Sequence, residues 1–420
     1  MSAMADGTLG ERVAELRRRR GLSQRDLAVE VGRSESWVSQ VERDVLPVER
    51  MSVLRSLADA LGASIHDLRP EAIDQESGAD DGKVIPIPDL NDVRYAITGH
   101  QALDTLLGTR LSADPGADPP LTSPRSLSDL KVDVDEAWRL THASAFRDAS
   151  AVLSKVLVDL ERTVRLVTGR RRRETARLLA SAYQAAAACF ARQDEPDAAW
   201  LAADRGMRWA EEAADPLGVA VGTFRMGHAF LGLGRLGQAE HAVRKSIFAL
   251  QPRADAGDRT PETLSVLGAL YLLMAVIQAR EGRRATTNWA ITNARAVASL
   301  LGEDRNDYNT EFGPTNVELH AVATAVDLGD AGEAIDIASR IDATHLSPER
   351  QSRLLIDLAR AHVQRRHIGD AVAALLEAER LAPEQVLTHS LVRMAVYDLL
   401  SLAGRRATPE LLDLSRRIGV

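Results

Sequence analysis

Gly21-Leu-Ser-Gln-Arg-Asp-Leu-Ala-Val-Glu-Val-Gly32, followed by Val38-Ser-Gln-Val-Glu42, decides the architecture of the amino end. Ser23 reads as a helix N-cap, with Asp26 three residues on. Leu27, Ala28 and Val31 then form one apolar stripe. Gly32 supplies a tight turn, and Ser34 caps the next helix, whose inner face is Val38 and Val41. Two helices joined by so short a turn must cross sharply, and Ala28 is small where they cross. The pattern predicts a helix-turn-helix, a motif that presents the start of its second helix to a DNA major groove. Upstream, Thr8-Leu-Gly-Glu11 is a capping box that opens a helix with Val13 and Leu16 inward, and Gly21 stops it. Downstream, Leu54, Leu57, Ala58 and Leu61 repeat at helical spacing. Ser64-Ile-His-Asp67 caps a short fifth helix.

These residues resemble the Cro/phage-repressor (XRE-type) DNA-binding domain over about 60 of the 420 residues. The resemblance implies that Ser23 and Gln24 grip the phosphate backbone. It places base-reading side chains at Glu35, Ser36, Ser39 and Gln40, and further backbone contacts at Arg33, Trp37 and Arg43. It also implies a structural ion pair between Arg17 and Glu42. Asp44 departs from the pattern, since many members have glycine there. The chemistry suits the assignment: Gln40 can pair bidentately with adenine, and Glu35 can accept from the cytosine amino group.

Composition bounds the rest. Hydrophobic residues make up 45% and charged residues 27%, the balance of a soluble globular chain. Aromatics are 4%, which argues for helices over a sandwich or barrel. The single cysteine, Cys189, excludes an internal disulfide and reads as a buried small apolar residue. The amino end lacks an apolar signal-peptide core. The longest apolar run, residues 264–277, is shorter than a bilayer span requires. The expectation is a cytoplasmic, all-α protein with no membrane partner. The net charge of −8 falls wholly on residues 71–420, because residues 1–70 balance 11 arginines against 11 acids. Six of those arginines cluster at positions 17–20, 25 and 33, so a neutral head with a basic face precedes an acidic remainder.

The chain divides into the head (8–69), an acidic, proline-containing linker (70–88), a helix and proline-rich loop (89–126) and a repeating helical region (127–420). Over residues 89–108 one helix is expected, with Leu90, Val93 and Ile97 on one face. The clearest repeat spans 220–252. Gly227 and Phe230 lie on a first helix, Gly232-Leu-Gly-Arg-Leu-Gly makes the turn, and Ala239, Val243 and Ser246 lie on a second. Copies recur at Ala359, Ala371, Leu375, Ala378 and Pro383; at Ala187, Phe190, Ala199, Ala203 and Gly206; at Val322, Ala325, Ala334 and Ala338; and around residues 275–294. Small residues at matched offsets resemble tetratricopeptide (TPR) repeats, which implies an α-solenoid with a concave surface. Thr408-Pro409 begins a final capping helix, with proline at N1.

Other signals are weak. The G-x-G-x-x-G at 232–237 follows a helix, not a strand, so it is a helix–helix turn. Gly169-Arg-Arg-Arg-Arg173 reads as a solvated face. Trp200, Trp209 and Trp289 read as packing between repeats. No metal-ligand spacing, Walker loop or nucleophile elbow is present, so neither a metal, a cofactor nor an enzyme is indicated. Five of the six asparagines fall within residues 288–316. Asn306 and Asn309 sit in a loop, where turn duty is expected. Asn288 and Asn293 lie within a helical stretch, where asparagine is disfavoured. With Asn316 they are the candidate effector-binding residues, as amides can clamp a peptide or polar ligand.

An XRE-type head before a TPR-like region resembles the peptide-responsive regulators of the Rgg/PlcR/PrgX kind and the TPR-bearing regulators of high-GC bacteria. The resemblance implies a homodimeric transcriptional regulator that reads an inverted repeat in double-stranded DNA. Its repeat domain would hold the dimer together and sense a peptide, small molecule or protein. The alternative is a protein-interaction scaffold tethered to DNA by its head or gated by a protein partner.

Overall fold

The computed structural model describes residues 8–31, 35–43, 57, 60, 61, 63, 68, 90–99 and 125–420. Its contacts divide the chain into two units, Met1–Lys83 and Val84–Val420. Among the described residues both are built of helices, with a single isolated bridge between Arg305 and Phe312.

In the first unit, α1 (Leu9–Arg19), α2 (Gln24–Glu30) and α3 (Glu35–Glu42) surround Val13, Leu27, Ala28, Val38 and Val41. The capping box closes as read: Thr8 Oγ1 accepts from the Glu11 amide, and the Glu11 carboxylate accepts from the Thr8 amide. Gly21 ends α1 at φ +71°, a backbone that glycine adopts without penalty. Ser23 and Asp26 cap α2 reciprocally, each side chain accepting from the other's amide. The Gly32 turn, the Ser34 cap, Asp44, Leu54, Ala58 and the cap at 64–67 lie outside the described residues. Leu57, Ala60, Leu61 and Leu68 are helical and buried in the same core. Arg12 ties its end to α1 by donating to the Leu68 carbonyl at 3.1 Å.

The second unit opens with α4 (Asn91–Thr98), which buries Leu90, Val93 and Ile97. Residues 100–108 of the helix expected over 89–108 lie outside the described residues. Gly99 leaves the helical region at ψ 131° and closes α4. Arg94 anchors α4 through ion pairs to Glu195 and Asp197.

Six antiparallel helix pairs follow: α5 (Leu127–His142) with α6 (Phe146–Leu166), α7 (Gly169–Arg192) with α8 (Pro196–Glu212), and α9 (Pro216–Gly232) with α10 (Leu236–Asp255). Then come α11 (Pro261–Arg280) with α12 (Arg284–Leu301), α13 (Pro314–Asp327) with α14 (Ala331–Ala338), and α15 (Pro348–Gln364) with α16 (Ile368–Leu381). Helices α17 (Pro383–Thr388), α18 (Ser390–Ala403) and α19 (Pro409–Ile418) complete the unit, with Thr408 capping α19. A pair cannot cover its own apolar face, so stacking neighbours builds the core.

All six turns within pairs share one geometry. The middle residue is left-handed: Ser144, Asp194, Gly234, Gly282, Gly329 and Arg366. The next amide donates to the carbonyl five residues back, at 2.8–3.0 Å, the Schellman closure. Only three of the six carry glycine, which is why the first pair escapes a search for glycine turns. Close approach between helices needs small residues, as read: a Cβ at Gly227 would lie 2.7 Å from Leu273 Cδ2. The central helix α11 is long and apolar enough to cross a membrane, yet every residue from Thr263 to Ala279 except Val276 is buried inside the stack. It is the core helix of the unit.

The tryptophans depart from expectation. Trp200 and Trp289 are 41% and 52% exposed, so they pack at the surface and are not buried between repeats. Trp200 meets Phe230 of the next pair and the Arg235 guanidinium, and Trp289 meets Tyr271 edge-on. Trp209 packs against the core as a partly buried residue.

Residues 302–313, between α12 and α13, form a strap with left-handed backbone at Tyr308, Asn309 and Glu311. Tyr308 donates to Asp215 at 2.9 Å, Asn306 Nδ2 meets His142 Nε2 at 3.2 Å, and Phe312 is fully buried. Phe312 lies on Gly268, where any Cβ would overlap its ring. We expect Gly268→Ala to cost about 2–3 kcal/mol by overpacking. A melting temperature lowered by several degrees would show it; an unchanged one would mean the strap is not seated.

Candidate functional site

The head supplies the first candidate surface. Val38 and Val41 turn inward, so helical periodicity places positions 36, 39 and 40 away from them and position 35 on the flank of α3. An ion-pair cluster fixes that helix. Arg17 Nε and Nη2 donate to the two Glu42 oxygens at 2.5 and 3.0 Å, and Gln24 Nε2 donates to Glu42 at 2.7 Å. One carboxylate thus joins α1, α2 and α3. Arg17 also donates to the Leu22 carbonyl at 2.8 Å, pinning the chain between α1 and α2. Burial alone would raise the Glu42 carboxyl, but the bonds from Arg17 and Gln24 and the Arg17 charge outweigh it and hold it below the usual range.

Ser23 and Gln24 are engaged within the head: Ser23 Oγ donates to Asp26 at 2.6 Å, and the Gln24 amide nitrogen is on Glu42. Arg43 is exposed at the end of α3, its Nε donating to the Ser39 carbonyl at 3.1 Å. Ser39 is half-buried. Arg33 and the side chains of Glu35, Ser36, Trp37 and Gln40 lie outside the described residues.

The second candidate lies inside the repeat unit. The first helices of successive pairs, α7, α9, α11, α13 and α15, together with residues 385–391, enclose a cavity of about 320 Å³. Its polar lining includes Arg192, Arg225, His228, Asn316, His320 and Glu349. The asparagine cluster divides here. Asn316 is buried on the cavity wall, where its amide donates to the Glu311 carbonyl at 2.6 Å. Asn288 is exposed on α12, and Asn293 donates back to the Trp289 carbonyl. The three are not brought together. Composition pointed to Asn316 but had no means of finding its neighbours, which come from helices far apart in sequence.

Carboxylates and guanidinium groups alternate around the wall. Arg192 meets Glu349 at 3.1 Å, and Arg350 meets Glu311 at 3.2 Å and Glu349 at 3.4 Å. Arg353 and Arg360 flank Asp357 at 3.3 and 2.8 Å. Burial would raise Glu311, but the Arg350 charge and the His142 contact outweigh it and bring it to about 2. Desolvation, then the charge of Arg350, lowers His320 to about 4; desolvation and Arg353 lower His389 to about 3. Cys189, fully buried beside Thr141, is pushed up to about 11 by burial, so its thiol is inert at neutral pH.

These histidines set a pH dependence. Their folded values lie below the ordinary 6.5, so the unfolded chain takes up protons that the folded chain refuses. The stability they contribute is complete above pH 6.5 and falls as the pH drops towards 4, by about 1.4 kcal/mol per pH unit for each histidine. Melting temperature measured across that window should fall, and His320→Asn should flatten the slope. A flat wild-type profile would contradict the assignment.

His362, His367 and Asp370, at the α15–α16 turn, bring three ligand atoms within 4.8 Å of one another. They form the one such group among the described residues, and only His362 is even partly buried. The basic run at 170–173 is solvated as expected: Arg170 pairs with Glu174 and Arg172 with Glu212.

Comparison with known proteins gives a partial match. Residues 8–72 match the helix-turn-helix domain family. No curated protein matches the chain. Among solved structures it is similar to PlcR of Bacillus thuringiensis, in complex with the peptide PapR7 and DNA, at 15% identity over 70% of this chain and 95% of that one, with a TM-score of 0.28. It is also similar to a point mutant of PrgX, at 7% identity over 97% of this chain and 100% of that one, with a TM-score of 0.26. The chain carries a helix-turn-helix domain at its amino end, followed by an all-α repeat region.

Proposed function

We propose that this chain is a cytoplasmic transcriptional regulator that binds DNA in a sequence-specific way as a homodimer, with no enzymatic activity. Its two heads read an inverted repeat, and the repeat unit provides the dimer contact and senses an effector. The observation that carries the reading is the Arg17–Glu42–Gln24 cluster. It holds α3 rigidly against α1 and α2, as a helix must be held if its outer face is to read bases. Glu35, Ser36, Ser39 and Gln40 then read bases, while Arg33, Trp37, Arg43 and the amino end of α2 at Ser23 and Gln24 hold the backbone. An effector acts through its differential affinity for two arrangements of the heads.

Selection of genomic fragments by the purified full-length chain, followed by footprinting at two salt concentrations, tests this. The expected product is an inverted repeat with half-sites about 34 Å apart, or a multiple of it, bound more weakly at high salt. No enriched sequence from the full chain or from the head alone would replace the regulator with the scaffold.

A further inference from the structure

The cavity at the centre of the repeat unit carries an unbalanced positive charge. Arg192, Arg350 and Arg353 all have carboxylate partners. Among the described residues Arg225 has none within ion-pair distance, although it is only 4% exposed. Its guanidinium lies about 5 Å from the ring centres of Trp138 and Phe224, and one nitrogen donates to the Asn309 carbonyl of the strap at 2.6 Å. Its Nε has no partner. Desolvation, reinforced by repulsion from Arg192 and Arg350, pulls Arg225 down to about 9, the signature of a cation buried without a counter-charge. Across the cavity the Asn316 Oδ1 atom, on a side chain only 2% exposed, is likewise unpartnered. Arg280, at the cavity edge, donates to the Leu231 carbonyl and has no ion pair among the described residues either. Phe224, Leu231, Leu319 and Leu354 give the same cavity an apolar side.

A buried cation without a partner is strongly unfavourable unless something completes it. We propose that the cavity binds a small organic anion, its acidic group paired with Arg225 and its body against the apolar side, with Asn316 Oδ1 accepting from a ligand donor and Arg280 adding positive charge at the cavity edge. The volume lies at the lower end of small-molecule sites and excludes a helix or a folded partner. A carboxylate and a phosphate ester share this chemistry. The inference deepens the effector reading of the repeat unit but does not depend on the head.

The test is the melting temperature of the full chain, without DNA and at constant ionic strength, with hexanoate, inorganic phosphate or hexylammonium up to tens of millimolar. An anion completing Arg225 raises it by several degrees, and hexylammonium does not. A response to hexanoate alone assigns a carboxylate ligand; a response to phosphate alone assigns a phosphorylated one. Arg225→Gln keeps a donor for the Asn309 carbonyl and should abolish the response. Arg280→Gln, at an exposed position on the cavity edge, removes the second charge and should weaken it, and decides the matter if Arg225→Gln fails to fold. No response from either anion, an equal response in both variants, or a larger response to hexylammonium overturns the proposal. Because no DNA is present, failure here leaves the reading of the head untouched, and failure of the head to bind DNA leaves this result standing.

Discussion

Replacing Gln40 and Glu35 together by alanine is expected to erase discrimination between the operator and unrelated DNA while leaving the fold and the non-specific affinity in place. Each bidentate base contact is worth about 1–3 kcal/mol. Loss of two weakens the specific complex by roughly 30-fold to 10⁴-fold. Both truncations leave the buried Val38 and Val41 of α3 in place. Arg43→Ala is a control of the other kind: removal of a backbone contact lowers affinity for every sequence alike and shallows the salt dependence. Binding to operator and scrambled duplexes at two salt concentrations separates the cases. A double variant that still prefers its operator would move base reading away from α3.

The second large effect is expected at Glu42. Its side chain is 6% exposed and that of Arg17 13%, so this pair is far from the solvent-screened surface pairs that contribute little. Glu42→Ala strands the Arg17 guanidinium and the Gln24 amide together, and should destabilise the head by about 3 kcal/mol. Arg17→Met combined with Glu42→Leu removes both charges and should restore most of that loss, because no ion is then left without a partner. Hydrogen exchange of head amides in the full chain reads both variants directly. Acid acts in the same direction as Glu42→Ala. The folded Glu42 carboxyl lies below its ordinary 4.5, so its contribution is complete above that pH and disappears as the pH falls through the folded value. If Glu42→Ala and the wild type exchange alike, the cluster does not hold α3.

The features legible in the sequence are those made by neighbours in the chain. The caps at Thr8–Glu11 and Ser23–Asp26 are closed by residues three apart, and the structure forms both. The pairing of Arg17 with Glu42 spans 25 residues and came only through resemblance. The repeats were visible where glycine marks the turn, at 234, 282 and 329. Small residues at matched offsets also revealed the pairs that turn at Asp194 and Arg366, but the first pair, which turns at Ser144 with the same left-handed backbone, was invisible. The cavity was the least legible part. Asn316 drew notice through composition, but Arg225, His320 and Glu349 each look like an ordinary polar residue of an amphipathic helix. Only the superhelix brings them together. Asn306 and Asn309 were read as turn formers, and they do make a short 3-10 turn; that the turn also touches His142 and Arg225 is a tertiary fact with no local signature.

The two ends of the repeat unit meet. Ser144 donates to Gln385 at 3.1 Å, and Glu384 accepts from the amides of Phe146 and Arg147 at 2.6 and 3.1 Å, contacts spanning 237 to 241 residues. An open stack of helix pairs folds by propagation, each pair needing only its neighbour, and unravels from its ends. Joining those ends adds contacts of the longest possible loop, which form after the neighbouring pairs have assembled. The seam at 144–147 and 384–385 is therefore where the unit first comes apart under native conditions. Its amides should exchange through a partial opening well below the global unfolding free energy. That opening gives a solute a route into the interior without melting a single helix.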